Sequence, residues 1–391
     1  MHDWATTLLP SNSNRAASLL KGLLKSGGIE SDDWALLIVQ HVLPNTLPLI
    51  FALKESFTIC GVIPKPRSVH QASLERLEQE QIPILWIKRE QLDGDRICEQ
   101  LNESLGNRKL ILLDVGGYFA GCLSALKQNL GTRLVGVVED TENGQQKYES
   151  AAAKAGGGFP CPVLSVARSP LKEPEDFLVG QSIVYSVERV LRENDSLLTN
   201  KRVLVIGYGK IGKSIASSLS VRNISVWVYD QDPVRRAQAL SQGFLTPERD
   251  AAIAKADLIF GATGNKSLRE ADFLGLNAYA FVASVTSADD EFEFGALREK
   301  LLSHESHDVE TFFNEGRIFH LINKGNAVNF TWNNQTLGPY IYLVACEIAA
   351  SVIKLIRERD TLGLEQIHTL STDERRQIAS QWHETFGNIR L

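Results

Sequence analysis

Short apolar runs alternate with amphipathic segments along the first 160 residues or so. The runs WALLIVQHV, FTICGVI, PILWIK, KLILLDVGG and RLVGVVED are typical of buried strands, and QASLERLEQEQ and RICEQLNESLG have helical spacing. This alternation predicts a parallel sheet with helices on both faces. Polar residues follow the strands, among them His41, Asp114 and Glu139 to Thr141. We expect them at a ligand-binding edge, because open α/β sheets bind ligands beyond the carboxyl ends of their strands.

A second set of units follows the Gly/Pro-rich stretch AGGGFPCP. A helix is predicted over Phe177–Glu193, then the strands RVLVIG, SVWVYD, DLIFGAT, AYAFVASV and RIFHLIN, then a long helix from about Tyr340 to Arg357. The predicted fold class is α/β, with two doubly wound parallel-sheet domains. The expected domains are residues 1–180, a Rossmann domain over 181–345, and a C-terminal helical segment over 346–391 that packs on the first domain or on a partner subunit.

Composition indicates a globular protein of the cytoplasm. Hydrophobic residues make up 43% of the 391 residues, and the net charge of −6 comes from scattered side chains, which argues against nucleic acid as a partner. Five cysteines without a CxxC pair favour free thiols over disulfides or zinc. The N-terminus lacks the pattern of a signal peptide, and no uncharged apolar run reaches membrane-spanning length, so we expect no membrane association.

The segment RVLVIGYGKIGKSIASSL contains a Gly-x-Gly-x-x-Gly motif directly after a strand and at the start of a helix. The three glycines permit a tight turn, approach of a pyrophosphate and close helix–strand packing. Asp230 ends the next strand, where a carboxylate accepts both ribose hydroxyls and repels a 2′-phosphate, so the cofactor is expected to be NAD and not NADP. The motif makes the following residues cofactor candidates: Gly207, Gly209, Lys210, Ile211 and Gly212.

The motifs of the chain resemble those of S-adenosylhomocysteine hydrolase. GYGKIGKSIASSL, VYDQDP and GATGN are similar to that family's cofactor domain, which reads GYGxVGKG, an acidic residue with xDP, and TTGN. LLDVGG, GVVEDTENG, SPLKEPEDFLVG and GNAVNF look like its LDDGG, GxxEETTTG, SxTKxKFDNxYG and GRLVNL. The resemblance implies tightly bound NAD that oxidises a substrate hydroxyl transiently and is then regenerated.

Residue by residue, the resemblance implies four catalytic candidates. Lys172 falls on the family's catalytic lysine, Asp176 on its ribose-binding aspartate, His41 on its active-site histidine, and Asp140 on a glutamate. The remaining matches are cofactor positions: Thr141, which is expected to meet the nicotinamide ribose, and Thr263, Gly264, Asn265 and Asn329. For Lys172 the local sequence alone also fits a solvated loop charge.

Several family residues are replaced. Val115 and Phe177 stand where the family has an aspartate and an asparagine, and Ser287 and Thr336 stand where it has histidines. Leu43 and Asn45 replace the pair that reads adenine, and we expect the family's lysine- and tyrosine-bearing tail to have no counterpart after TFGNIRL. Polar sites discriminate strongly, because unmatched polar groups in them are costly, so efficient S-adenosylhomocysteine hydrolysis is not expected.

The sequence therefore predicts an adenosylhomocysteinase-like, NAD-dependent enzyme that acts on a small nucleoside-like or related polar substrate. An oxidoreductase with net hydride transfer and a non-catalytic NAD-binding regulator are the alternatives. A homodimer or homotetramer is expected. No metal site is predicted, since His304 and His307 lie in a charged stretch that reads as a solvated loop, and His320 reads as a core residue of a strand.

Overall fold

The computed structural model describes residues 4–29, 33–286, 288–306, 308–314, 316–330 and 337–387. The chain divides into two compact units, one formed by residues 1–172 with 338–391 and the other by residues 173–337. These boundaries differ from the expected 180 and 346. The first differs because one continuous helix begins at Glu173 and belongs to the second unit.

The first part of unit 1 alternates strands and helices. Its strands are β1 (Trp34–Val42), β2 (Thr58–Val69), β3 (Lys109–Asp114), β4 (Leu134–Glu139) and β5 (Val163–Ser165). Its helices are α1 (Trp4–Ser26), α2 (Leu47–Lys54), α3 (Gln71–Gln79), α4 (Gly94–Leu105), α5 (Leu123–Leu130) and α6 (Glu142–Lys154). The sequence pattern above does not predict α1, which packs Ala16, Leu20 and Leu24 into the core at helical spacing.

Unit 2 contains a second sheet. Its helices are α7 (Glu173–Glu193), α8 (Lys210–Ser220), α9 (Pro233–Ser241), α10 (Arg249–Ile253), α11 (Glu270–Leu274) and α12 (Ala288–Glu291). Its strands are β6 (Arg202–Ile206), β7 (Ser225–Tyr229), β8 (Leu258–Gly261), β9 (Ala280–Ser284), β10 (Leu301–Ser306), β11 (Val309–Asn314) and β12 (Arg317–Ile322).

The chain then returns to unit 1 with α13 (Ile341–Glu358), β13 (Ile367–His368) and α14 (Thr372–Phe386). The segment Gly338–Glu358 is apolar and long enough to cross a membrane, but 67% of its most apolar window is buried within the protein, as in a core helix. Glu347 of α13 is fully buried, and its Oε1 accepts a hydrogen bond of 2.8 Å from Arg375 of α14. This ion pair joins α14 to α13.

The sheet of unit 1 has the order β13-β5-β4-β3-β1-β2, and its strands pair in parallel. Strand order reverses between β1 and β3, which is where doubly wound sheets bind ligands. The predicted strand PILWIK is wrong, because this segment makes only a single bridge, between Ile84 and Val62 of β2. The α/β prediction with a parallel sheet is otherwise confirmed.

The sheet of unit 2 has the order β10-β11-β12-β9-β8-β6-β7, and a bridge from Leu245 to Trp227 continues it beyond β7. The strands from β12 to β7 are parallel, as a Rossmann sheet requires. The sequence analysis did not predict the antiparallel β10 and β11. His304 lies in β10, so the expectation of a loop there was wrong. His307 lies outside the described residues.

Candidate functional site

The glycine motif forms the turn between β6 and α8. Gly207 has φ +101°, and a Cβ there would lie 2.5 Å from the carbonyl oxygen of Ala262. A Cβ on Gly212 would lie 1.9 Å from the carbonyl oxygen of Gly207, so α8 packs directly on the turn. A Cβ on Gly209 would meet only Arg235, at 3.6 Å. The first and third glycines therefore serve packing, and the second leaves the start of α8 open to a ligand such as a pyrophosphate.

Asp230 follows β7 and is 5% exposed. Its Oδ2 accepts a hydrogen bond of 2.7 Å from the Tyr208 amide in the glycine turn, and its Oδ1 accepts one of 2.9 Å from the Asp232 amide. Each carboxylate oxygen has a further lone pair that can accept a ribose hydroxyl. Arg235 Nη1 lies 3.6 Å from Asp230 Oδ2, a neighbour that the sequence analysis missed.

A buried carboxylate accepts hydrogen bonds from the loop after β8 and fixes its shape. Glu291 is fully buried, and its Oε1 accepts hydrogen bonds from the amide of Thr263 at 3.0 Å and its hydroxyl at 2.8 Å. Its Oε2 accepts from the Gly264 amide at 2.7 Å and from the Thr286 hydroxyl at 2.8 Å. The Thr263 hydroxyl oxygen in turn accepts from the Asn265 amide at 3.0 Å. The predicted cofactor residues of this loop thus form one hydrogen-bonded group.

Asn329 lies in the short turn Val328–Phe330 and is 6% exposed. Its side-chain oxygen, Oδ1, is buried without a hydrogen-bond partner. A buried acceptor left in this state costs about 1–3 kcal/mol, so an amide donor of a bound ligand would relieve the cost. This orphaned oxygen fits the resemblance, which places Asn329 against NAD.

In unit 1, His41 near the end of β1 contacts Ser68 near the end of β2. His41 Nδ1 lies 2.6 Å from Ser68 Oγ, and that hydroxyl donates to the carbonyl of Lys65 at 3.1 Å. The direction of the hydrogen bond between His41 Nδ1 and Ser68 Oγ depends on the tautomer of the imidazole. Burial, and then the charges of Lys65 and Lys172, hold the pKa of His41 well below its ordinary value. The imidazole is therefore neutral at physiological pH.

Lys172 and Asp140 form an ion pair in unit 1. Lys172 Nζ lies 2.8 Å from Asp140 Oδ1, and the two side chains are 9% and 16% exposed. Asp140 follows β4, and Lys172 ends the short turn Pro170–Lys172. A charged lysine and a carboxylate thus meet at the carboxyl end of the sheet, which excludes the reading of Lys172 as a solvated loop charge.

Two other polar residues of these strand ends face inward. Asp114 accepts hydrogen bonds of 3.0 Å from the amides of Tyr118 and Phe119 and one of 2.6 Å from the Tyr148 hydroxyl. Glu139 accepts hydrogen bonds from the amides of both glycines of the GGY loop (Gly116 to Tyr118) and from Thr141. Burial and the nearby Asp114 raise the pKa of Glu139 to about 8. These carboxylates fix the loop after β3, and Thr141 caps α6 through the Gly144 amide.

Asp176 lies in the first turn of α7 and pairs with Lys210, the residue directly after the second glycine of the motif. Lys210 Nζ lies 3.3 Å from Asp176 Oδ2. Unit 2 therefore brings a predicted substrate residue together with a predicted cofactor residue. Phe177, which replaces the family asparagine, is 50% exposed. Ser287 and Thr336 lie outside the described residues.

A cavity of about 10 Å³ lies in unit 1 beside the replaced aspartate position. Asp114, Val115 and Asp140 line it together with aliphatic side chains of the core. This volume holds about one water molecule, so the cavity does not enclose a substrate. Val115 is 4% exposed and gives the cavity an apolar wall.

The described histidines and carboxylates form no group of three or more side chains placed to hold a metal ion.

His320 lies in β12, as its pattern predicts, where its Nδ1 is 2.9 Å from Thr311 Oγ1 and its ring stacks on Phe281. The described cysteines are free thiols, four of them buried and Cys98 half-buried.

Residues 177–335 match the family model described as "S-adenosyl-L-homocysteine hydrolase, NAD binding domain". Unit 2 therefore contains an NAD-binding domain that is similar to the one this model describes. Its cofactor is NAD, and the matched domain supports an NAD-linked enzyme.

The chain is also similar to solved structures at low identity. An L-alanine dehydrogenase is 14% identical, with 89% of this chain and 99% of that chain covered and a TM-score of 0.37. A phosphoglycerate oxidoreductase from Vibrio cholerae is 14% identical, with 83% and 99% covered and a TM-score of 0.47. An NADPH-dependent glyoxylate/hydroxypyruvate reductase from Sinorhizobium meliloti is 11% identical, with 87% and 98% covered and a TM-score of 0.44.

Proposed function

We propose that this protein is an NAD-dependent enzyme that oxidises a hydroxyl-bearing carbon of a small polar, nucleoside-like substrate, transiently and with regeneration of the cofactor. The observation that supports this best is the buried pair of Lys172 and Asp140, which accompanies a neutral His41 at the carboxyl end of the sheet. NAD⁺, when bound, accepts a hydride from the substrate carbon.

Different residues of unit 2 would bind different parts of the cofactor. Gly209 and the start of α8 would hold the pyrophosphate, and Asp230 would hold the adenosine ribose. Thr263, Gly264 and Asn265 form a loop of fixed shape, and Asn329 Oδ1 would accept a hydrogen bond from an amide donor. Rigid placement of these groups lowers the entropy cost of binding.

Residues of unit 1 accept the proton of the reacting hydroxyl group and stabilise its negative charge. Loss of the hydroxyl proton gives the oxygen alkoxide character, which assists departure of the hydride from the adjacent carbon. The neutral imidazole of His41 accepts this proton, and the Lys172 ammonium stabilises the negative oxygen. Asp140 orients Lys172 through the ion pair between them.

Substitution of Lys172 tests this proposal. Nucleosides and nucleoside thioethers are screened on the parent protein for growth of NADH absorbance, and a responsive ligand is then used with Lys172→Ala and Lys172→Arg. We expect Lys172→Ala to reduce the rate about 100-fold or more, and Lys172→Arg to reduce it less, because the arginine keeps the charge. The affinity for NAD⁺ should stay nearly unchanged in both variants, and Lys154→Ala, on an exposed part of α6, is the matched control.

Three outcomes would contradict the proposal in different ways. Equal reduction of NAD⁺ in parent and Lys172→Ala would remove Lys172 from the reaction. Net release of NADH in every turnover would favour an ordinary oxidoreductase over internal recycling. If no ligand reduces the cofactor while NAD⁺ changes the affinity for a partner molecule, a non-catalytic regulator is the better description.

A further inference from the structure

An arginine lies between the two parts of unit 2 that would hold the adenosine and the pyrophosphate of the cofactor. Arg235 Nη1 is 3.6 Å from Oδ2 of Asp230, the carboxylate that would bind the adenosine ribose. A Cβ built on Gly209, where the glycine turn is open, would lie 3.6 Å from the same Nη1 atom. One guanidinium nitrogen is therefore near both the ribose carboxylate and the open start of α8.

The contacts of Arg235 with the carboxylates beside it are ionic and long. Its Nε lies 3.9 Å from Oδ2 of Asp232. This distance and the 3.6 Å to Asp230 both exceed the length of a hydrogen bond, which is about 2.7–3.2 Å. The two carboxylates therefore hold the guanidinium beside the glycine turn by charge. Because the side chain is 50% exposed, its N–H donors can be directed to a ligand.

The next residue, Arg236, has a structural role that Arg235 does not share. Arg236 Nη1 donates a hydrogen bond of 2.6 Å to the backbone carbonyl of Asp230, and its guanidinium lies 5.7 Å from the centre of the Tyr229 ring. Arg236 thus joins α9 to the end of β7. Arg235 lies in the first turn of α9, where the partial positive charge of the helix N-terminus disfavours a cation. The stability of α9 therefore does not account for Arg235.

The side of Asp230 that Arg235 Nη1 approaches indicates which part of the cofactor it would meet. Asp230 Oδ1 accepts the amide of Asp232 at the start of α9, whereas Oδ2 accepts the Tyr208 amide of the glycine turn. Arg235 Nη1 approaches Oδ2 and is thus on the side of the glycine turn. A ribose bound by Asp230 directs its 5′-phosphate towards this turn, because the pyrophosphate binds at the start of the helix that follows it.

We propose that Arg235 binds the adenosine-side phosphate of the NAD pyrophosphate. A guanidinium matches the geometry of a phosphate with two parallel N–H···O hydrogen bonds, and such charged hydrogen bonds are stronger than neutral ones. The backbone amides at the start of α8 would bind the same pyrophosphate, so donors from α8 and α9 would meet on one anionic group. The inference rests on the proposed placement of the cofactor in unit 2, and it does not depend on the proposed chemistry in unit 1.

Binding of cofactor fragments tests this inference without turnover. The affinity of the full chain for NADH is measured by fluorescence for the parent and each variant, and NAD⁺, NADP⁺, ADP-ribose and adenosine are then titrated as competitors. We expect Arg235→Gln to weaken the binding of NAD⁺ and ADP-ribose about tenfold or more, and that of adenosine, which has no phosphate, by less than about twofold. Arg235→Lys should recover part of the loss, because lysine keeps the charge but not the planar fork. Arg192→Gln, at a side chain of α7 that is 61% exposed, is the matched control and should bind all four ligands like the parent.

Three results would overturn the inference. Equal binding of ADP-ribose by the parent and Arg235→Gln would remove Arg235 from the site. Equal weakening of adenosine and ADP-ribose would mean that Arg235 acts only by holding Asp230. A larger loss for NADP⁺ than for NAD⁺ would place the guanidinium at the 2′-phosphate.

The same variants separate this inference from the proposed function. If Arg235→Gln weakens ADP-ribose as expected but no hydroxyl compound reduces the cofactor, the phosphate contact stands and the proposed function fails. If a hydroxyl compound reduces the cofactor and Arg235→Gln binds all four ligands like the parent, the proposed function is supported and the phosphate contact is wrong.

Discussion

Glu291 holds Thr263 with two hydrogen bonds to one carboxylate oxygen, from the threonine amide at 3.0 Å and from its hydroxyl at 2.8 Å. The other oxygen takes the Gly264 amide. The loop that bears the predicted cofactor residues therefore owes its shape to a side chain that comes from α12, 28 residues further along the chain than Thr263.

We predict that Glu291→Gln weakens NAD⁺ binding about tenfold or more. The glutamine places an NH₂ group where an oxygen accepted N–H and O–H donors, so at least one buried donor loses its partner, at a cost of about 1–3 kcal/mol. Calorimetric titration with NAD⁺ measures the effect. Glu293→Gln, at an exposed position two residues later, is the control and should bind NAD⁺ like the parent.

Asp230 should make the protein bind NAD(H) at least about tenfold more tightly than NADP(H), which corresponds to about 1.4 kcal/mol. Asp230→Asn keeps an acceptor for the Tyr208 amide but removes the negative charge beside Arg235, so we expect it to narrow this preference. Calorimetry with both cofactors measures the preference. Equal affinities of the parent for both would show that the carboxylate does not face the ribose.

Hydrolysis of S-adenosylhomocysteine should be far slower than about 1 per second, an ordinary enzymatic rate. Val115 gives an apolar wall where a carboxylate would orient the substrate, and the exposed Phe177 cannot replace an asparagine. Coupled detection of homocysteine tests this expectation. Turnover at or above that rate would show that the replaced polar groups are dispensable.

His41 should stay neutral well below pH 6.5, because burial and the charges of Lys65 and Lys172 oppose its protonation. Since the unfolded chain binds this proton more readily, the His41 contribution to stability falls as the pH drops below 6.5, towards the lowered pKa of the folded state. NMR titration of the ring should show the low pKa, and Lys65→Gln should raise it. In urea unfolding, His41→Gln should lose less stability than the parent between pH 7.5 and pH 5.5.

Arg375→Leu should destabilise unit 1 by about 3–5 kcal/mol, because it leaves the Glu347 carboxylate buried without its cation. Arg376→Leu, whose side chain is 77% exposed, is the matched control and should change stability by well under about 1 kcal/mol. Chemical denaturation of each variant measures the difference. The double variant Arg375→Leu with Glu347→Met should recover much of the loss, and if it does not, the ion pair is not the cause.

The sequence predicted the parallel strands and the glycine turn because these depend on local pattern. RVLVIG and SVWVYD are apolar runs of strand length, and Gly207, Gly209 and Gly212 have fixed spacing. PILWIK has the same apolar character but forms only one bridge to β2, and its Trp86 is 65% exposed, so apolar composition alone does not make it a buried strand. Periodicity cannot separate the two cases.

The hydrogen-bond partners of the buried carboxylates could not be predicted from the sequence, for a different reason. Glu291 lies in the acidic stretch ADDEFEF, whose composition is typical of a solvent-exposed segment. Its hydrogen-bond partners lie in the loop after β8, which only the folded chain places next to Glu291. Asp114 and Glu139 were expected to face a ligand, yet their oxygens accept backbone amides of the loop after β3. A strand-end position predicts where a side chain lies, but not which groups it bonds.

The return of the chain to unit 1 sets an order for folding during synthesis. Strand β13 pairs with β5, and α13 fills the core around α1 and β4, but both leave the ribosome after all of unit 2. The NAD-binding unit can therefore complete its sheet first, while the apolar faces of the earlier strands stay uncovered until α13 emerges. A nascent chain halted at residue 337 would be a cofactor-binding unit attached to an aggregation-prone half-domain, so the yield of this protein in cells should depend on uninterrupted translation to α14.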